Sequence, residues 1–130
     1  MSLENKIQDR LVTDDESILE SNLEAVEQLF QLHGDGTINI NPPYRGISET
    51  AEILIYFIGQ RYAFEGNLAE DDTLDSDFFY ERIDKSDRTV RDYLQDLRES
   101  GFITKEGQGT HQLITENLPG ALGRIEDEAE

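Results

Sequence analysis

The sequence predicts an α+β fold that is mostly α-helical, and three segments support this. Residues 48–64 have a centre that is apolar on every side, which is typical of a buried helix. Residues 86–100 carry apolar side chains at helical spacing and polar side chains elsewhere, which predicts an amphipathic helix. Residues 102–115 contain two short apolar segments around a glycine-containing turn, which predicts a pair of strands.

The first region, residues 1–41, predicts one long amphipathic helix over residues 14–33 and a short strand over residues 37–40. Within the helix, four apolar residues follow the spacing of a coiled-coil seam. These candidate dimerisation residues are Leu19, Leu23, Val26 and Phe30. They predict a homodimer, and the alternative is that the helix packs on its own domain.

Two adjacent prolines, Pro42 and Pro43, break regular structure and mark the start of a second region, residues 42–118. The side chain of Ser48 can cap the first helix of this region, and Gly66 can end it. The apolar centre of this helix is too short to cross a membrane. We therefore expect it to be the core helix of the domain.

The acidic segment 65–77 predicts a loop without the spacing of a calcium-binding site. Counted from Asp71, the positions that require glycine and glutamate hold Ser76 and Arg82. We therefore predict no metal site, and expect only solvent cations on the acidic surface. A short helix follows this loop. Its inward-facing residues are Phe78, Phe79 and Ile83.

The next helix, about residues 87–100, has signals at both ends. Ser86 or Asp87 can cap its start, and Gly101 can adopt the left-handed conformation that ends a helix. The apolar face of this helix consists of Val90, Leu94 and Leu97. The strands that follow are expected at Phe102–Lys105 and His111–Thr115.

The last region, residues 119–130, predicts a short helix and a tail. Pro119 fits the first position of a helix over residues 120–125. The acidic residues 126–128 are expected to form a solvated tail.

The segment RTVRDYLQDLRESGFI resembles the third helix of winged helix-turn-helix transcriptional regulators, and EGQGTHQL is similar to the wing of the gluconate-repressor (GntR) class. The resemblance covers residues 48–118. It implies a DNA-binding transcriptional regulator whose recognition helix enters the major groove of double-stranded DNA, with a wing at about 105–111 beside it. The implied DNA-contacting residues are Lys85, Ser86, Arg88, Thr89, Arg91, Asp92, Gln95, Lys105, Gln108 and His111. For His111, a polar residue on an edge strand is the alternative.

The chain has a formal net charge of −18, from 29 acidic and 11 basic residues. Its apolar residues form regular patterns, which argues against an acidic disordered chain. We interpret the charge as the acidic surface of a protein from a halophilic archaeon. Residues 82–105 hold six basic and five acidic residues, so this segment is the least acidic part of the chain.

We expect no enzymatic activity and no cofactor. The two histidines, His33 and His111, belong to no recognisable triad, and the chain has no phosphate-binding or dinucleotide-binding motif. The absence of cysteine excludes disulfides and thiolate metal sites. No signal peptide or membrane span is recognised, which predicts a cytoplasmic protein.

A second function stays open, namely a winged-helix module for protein–protein interaction that does not bind DNA. The electrostatics of the recognition helix distinguishes the two. Salt bridges along the helix, such as Arg88 with Asp92, favour the interaction module or a merely solvated face. Arginines that project freely together with Lys105 favour DNA binding.

Overall fold

The computed structural model describes residues 2–10 and 14–129 of the chain. The helices are α1 (Leu3–Arg10), α2 (Asp15–Ser21), α3 (Leu23–Glu27), α4 (Glu49–Glu65), α5 (Ser76–Tyr80), α6 (Asp87–Glu99) and α7 (Leu118–Ala129). The strands are β1 (Phe30–Leu32), β2 (Ile38–Ile40), β3 (Thr73–Asp75), β4 (Ile103–Gly107) and β5 (Thr110–Leu113). Short 3-10 turns lie at Pro42–Tyr44 and Thr115–Asn117. The fold is α+β and mostly helical, as the sequence predicts.

The core is built around α4, which confirms the predicted buried helix. Ser48 Oγ accepts a hydrogen bond from the Ala51 backbone N–H at 3.0 Å, and the helix ends at Gly66. The fully buried residues at its centre are Ile53, Leu54, Ile55, Phe57 and Ile58. α4 contacts α6, α7 and strands of both sheets, so its burial holds the domain together. No helix in the described part of the chain, α4 included, has the length and apolar character that a membrane span requires.

The larger sheet is antiparallel, with strand order β3-β5-β4. The predicted pairing of β4 with β5 is confirmed, with Ile103 opposite Leu113, and Gly109 in the connecting turn has a φ of 76°. The sequence predicts a loop over residues 65–77, which is wrong for its last part, because β3 pairs with the other side of β5. Three residues within an acidic segment carry no alternating pattern that indicates a strand.

The single helix predicted over residues 14–33 is wrong. α2 and α3 are separated at Asn22, whose side-chain amide donates to the Ile18 carbonyl oxygen at 2.7 Å. Such a local hydrogen bond competes with the regular backbone pattern of a helix. The chain then enters β1, which pairs with β2 so that Phe30 lies opposite Ile40. The predicted strand at residues 37–40 is therefore confirmed, and its partner strand replaces the end of the predicted helix.

The four candidate dimerisation residues do not form a continuous seam. Leu19, Val26 and Phe30 are buried in the core of their own chain, whereas Leu23 is 46% exposed. Tyr62 of α4 contributes to this burial, since its hydroxyl donates to the Leu19 carbonyl oxygen at 2.5 Å. Its ring centroid also lies 6.5 Å from that of Phe30. For three of the four residues, packing on the same domain is the observed arrangement.

α7 extends beyond the helix predicted over residues 120–125. Residues 126–128, predicted as a solvated tail, continue this helix, so the predicted tail is wrong, although Glu126 and Asp127 are exposed as predicted. Glu128 Oε2 accepts a hydrogen bond from Ser48 Oγ at 3.0 Å, and Arg124 lies within 3.9 Å of Glu128. These contacts give the acidic side chain polar partners and allow the helix to continue.

Candidate nucleic-acid interface

α6 forms as predicted, with one buried apolar face and one exposed polar face. Ser86 Oγ accepts a hydrogen bond from the Thr89 backbone N–H at 3.2 Å and thereby caps the helix. Gly101 follows the helix with a φ of 83°, the left-handed conformation that ends a helix at low cost. The buried residues are Val90, Leu94 and Leu97. The exposed ones include Lys85, Ser86, Arg88, Arg91, Asp92 and Gln95, and Thr89 is half-buried.

A groove of about 540 Å³ lies between α6 and the hairpin formed by β4 and β5. It brings together five exposed residues of the predicted contact set from two separate parts of the chain. These residues are Arg91, Asp92, Gln95, Lys105 and Gln108. Outside the groove lie Lys85 and Ser86, which precede α6, and Arg88 and Thr89 in its first turn. The predicted contacts therefore form two neighbouring areas.

Three cationic side chains on this surface keep their charge unpaired. Arg88, Arg91 and Lys105 are exposed, and within residues 2–10 and 14–129 none of them forms an ion pair. Lys85 differs, since its Nζ lies 3.9 Å from a carboxylate oxygen of Glu49. Unpaired guanidinium and ammonium groups retain the donors that carboxylates or phosphates accept. This surface is therefore able to bind an anion.

His111 does not lie on an exposed edge, so the predicted phosphate contact is wrong for its side chain. Because β3 occupies the outer side of β5, β5 is the central strand and His111 pairs with Leu74. The imidazole is 2% exposed, and its centroid lies 6.4 Å from that of Phe57. Burial, together with the positive charges of Arg98 and Lys105, lowers the pKa of His111 to about 4. The ring is therefore neutral at neutral pH.

Arg98 is a groove residue that the predicted contact set omits. It follows Arg91 by seven residues, and side chains at that spacing lie on the same side of a helix. This spacing is visible in the sequence. The hydrogen-bond partner of Arg98 is not visible there, because its Nη1 donates at 2.7 Å to Nε2 of His111 on a separate element, β5. Ser76 and Tyr80 also line the groove, and no sequence pattern indicates that.

The acidic loop before β3 contains no assembled metal site. Among the residues that the structure describes, no group of three or more carboxylate or imidazole side chains is placed to hold a metal ion. The solvent cations expected on the acidic surface stay a prediction.

Comparisons of the chain with protein-family models, with curated proteins and with solved structures found no match. The interpretation of this surface therefore depends on its own geometry and charge.

Proposed function

We propose that this protein is a winged helix-turn-helix transcriptional regulator that binds double-stranded DNA. The order of the elements supports the proposal: α4 and β3 are followed by α5 and α6, which a short turn joins, and then by the β4–β5 hairpin. In this arrangement α6 is the recognition helix, α5 braces it, and the hairpin is the wing. α5 and β4 both contact α6, so the proposed wing lies beside the proposed recognition helix.

The observation that carries the proposal is the unpaired positive charge on α6 and the hairpin. The chain has 29 acidic residues, so carboxylate partners are abundant. Arg88, Arg91 and Lys105 nevertheless stay exposed and form no ion pair within the described residues. An anionic ligand on this face accounts for that arrangement, and the phosphates of duplex DNA supply regularly spaced anions.

The dimensions of α6 suit the proposed docking. Its 13 residues span about 20 Å, and an α-helix fits a major groove that is about 12 Å wide. In this docking Arg88 and Arg91, which are exposed on α6, face base edges and phosphates. Arginine suits this role because it can donate two hydrogen bonds to a guanine base. Lys105 and Gln108 on the hairpin face the neighbouring backbone.

We further propose that the protein works in the salt-rich cytoplasm of a halophile. Its net charge of −18 repels DNA at low salt. At ~1 M salt the screening length is only about 3 Å, so the long-range repulsion is suppressed while close contacts persist. An acidic chain with one nearly neutral face is then compatible with DNA binding.

Fluorescence anisotropy with a labelled random-sequence duplex, measured over a series of potassium chloride concentrations, tests the proposed function. We expect saturable binding by the unmodified chain and weaker binding by a variant in which Arg88, Arg91 and Lys105 are all alanine. Circular dichroism shows whether the variant keeps its fold. If the unmodified chain binds neither this duplex nor genomic fragments at any salt concentration, the proposal is refuted and the protein-interaction module takes its place.

A further inference from the structure

Arg98 and His111 form a polar contact in the wall of the groove between α6 and the hairpin. Nη1 of Arg98 donates to Nε2 of His111 at 2.7 Å. Arginine stays protonated in proteins and has no acceptor, so Nε2 must accept and the ring proton must reside on Nδ1. The lowered pKa of His111 agrees with this neutral form.

The imidazole of His111 is buried although one of its nitrogen atoms lacks a hydrogen bond to any residue that the structure describes. Nδ1 is buried, and it has no hydrogen-bond partner among the described residues. A buried N–H without a partner destabilises a protein, and an apolar side chain at this position of β5 would avoid the penalty. What the imidazole provides in return is an acceptor that orients the guanidinium of Arg98.

We infer that the groove is a binding site for a phosphate group of the DNA backbone, and that His111 is a positioning residue that holds Arg98 towards it. The inference rests on the proposed function and adds a contact to it. Guanidinium carries five N–H donors. Only Nη1 of Arg98 has a hydrogen-bond partner within the described part of the chain. The remaining donors are therefore available to a phosphate.

The charge of the groove suits a phosphate. Its lining contains three cationic side chains, Arg91, Arg98 and Lys105, and two carboxylates, Asp77 and Asp92. The groove therefore has a net charge of +1 in a chain of −18. Because Arg91 and Lys105 are exposed and Arg98 is half-buried, a phosphate can meet guanidinium groups from α6 and an ammonium group from the hairpin.

Duplex binding by the full chain, measured by anisotropy as a function of potassium chloride, tests this inference. In the range where affinity falls with salt, loss of one phosphate contact lowers the magnitude of the slope of log affinity against log salt by about one, and it weakens binding by up to about tenfold. We expect both effects in Arg98→Ala and in His111→Leu, with no further loss when the two are combined. His111→Gln, whose side-chain oxygen can replace Nε2, should retain most of the affinity. Lys6→Ala removes the same charge from an exposed site outside the groove and is the matched control.

Circular dichroism shows whether each variant is folded. If His111→Leu does not fold, His111→Asn is used in its place, because the asparagine side chain is too short to reach Arg98. An unchanged salt slope in Arg98→Ala overturns the inference and leaves the proposed function intact. The inference is also overturned, with the proposed function intact, if the variant without an acceptor at position 111 binds DNA like the unmodified chain.

If the unmodified chain binds no duplex, the proposed function fails, and inorganic phosphate then decides about the groove. Phosphate at constant ionic strength should shift the NMR signal of the Arg98 Nε–H group in the unmodified chain but not in the folded variant without an acceptor at position 111. The absence of a shift in the unmodified chain overturns the inference.

Discussion

Gly59 of α4 lies directly against the side chain of Ile38 in β2. A Cβ atom at Gly59 would be 2.9 Å from both Cγ atoms of Ile38. Carbon atoms prefer separations of about 3.5–4.0 Å, so any larger residue forces a displacement. Glycine within a helix lowers stability by up to ~1 kcal/mol relative to alanine. The close approach that it allows lets the small hairpin of β1 and β2 pack on the core helix.

A double-mutant cycle tests this contact. Gly59→Ala should destabilise the protein by about 1 kcal/mol, because an overpacking penalty of about 1–3 kcal/mol exceeds the gain in helix propensity. In an Ile38→Ala background the steric conflict is absent, so the same change should stabilise by up to about 1 kcal/mol. Urea denaturation of the four proteins gives the free energies of unfolding. Equal effects in both backgrounds would contradict the close contact.

Replacement of Arg88 and Arg91 by alanine should weaken DNA binding by about 1–3 kcal/mol for each base contact that is lost. Both side chains are exposed on α6, so the helix content should not change. Anisotropy gives the affinity and circular dichroism gives the helix content. Lys6→Glu, which changes the net charge by the same two units at an exposed site, controls for charge. An unchanged affinity in the double variant would move our preference to the protein-interaction module.

The salt dependence of binding should have two phases. At low salt the charge of −18 opposes both folding and DNA binding, so added salt first improves both by screening. Further salt then weakens the contacts between arginine and phosphate. We expect an affinity that is flat or rises between about 0.1 M and moderate salt and falls towards higher concentrations. A steady fall from the lowest salt, with constant helix content, would refute the halophile interpretation.

His111 should make the stability of the fold depend on pH. Its pKa falls from 6.5 to about 4 on folding, so the unfolded chain binds a proton that the folded chain excludes. The contribution of His111 to the free energy of unfolding is therefore fully present above about pH 6.5. It is lost as the pH falls towards 4, and the loss amounts to up to about 3 kcal/mol. Urea denaturation at several pH values, compared with His111→Gln, isolates this contribution because the carboxylates are common to both proteins. Parallel profiles would contradict it.

The homodimer stays a prediction. Because Leu23 is exposed and Phe30 is buried, substitutions at these two positions distinguish loss of association from loss of folding. Leu23 is exposed, so Leu23→Glu should leave the fold intact and abolish association if this face forms the interface. Phe30 is buried, so Phe30→Glu should unfold the chain whatever its oligomeric state. Light scattering at micromolar concentrations gives the mass of each protein. A monomeric unmodified chain would end the dimer prediction.

The wrong predictions have two kinds of cause, namely local contacts that periodicity does not reveal, such as the hydrogen bond from Asn22 to Ile18, and the pairing of strands. Periodicity over residues 14–33 is compatible with a helix, and only the pairing of β1 with β2 shows where the helix stops. β3 is three residues long, and its partner is β5, 37 residues away at the pair of Leu74 and His111. That pairing makes β5 central and buries His111 beside Arg98, so the groove could not be predicted in full.

Four features follow from the sequence alone, namely the mostly helical class, the buried helix α4, the amphipathic helix α6 and the turn between β4 and β5. These features depend on side-chain periodicity, on a cap such as Ser86, and on glycines such as Gly101 that adopt left-handed backbone, all of which act between near neighbours in the chain. Three others depend on how the elements pack, namely which strand is central, which histidine is buried and which arginines stay unpaired. Burial and ion pairing depend on the surroundings that the whole fold creates, and these leave no local pattern in the sequence.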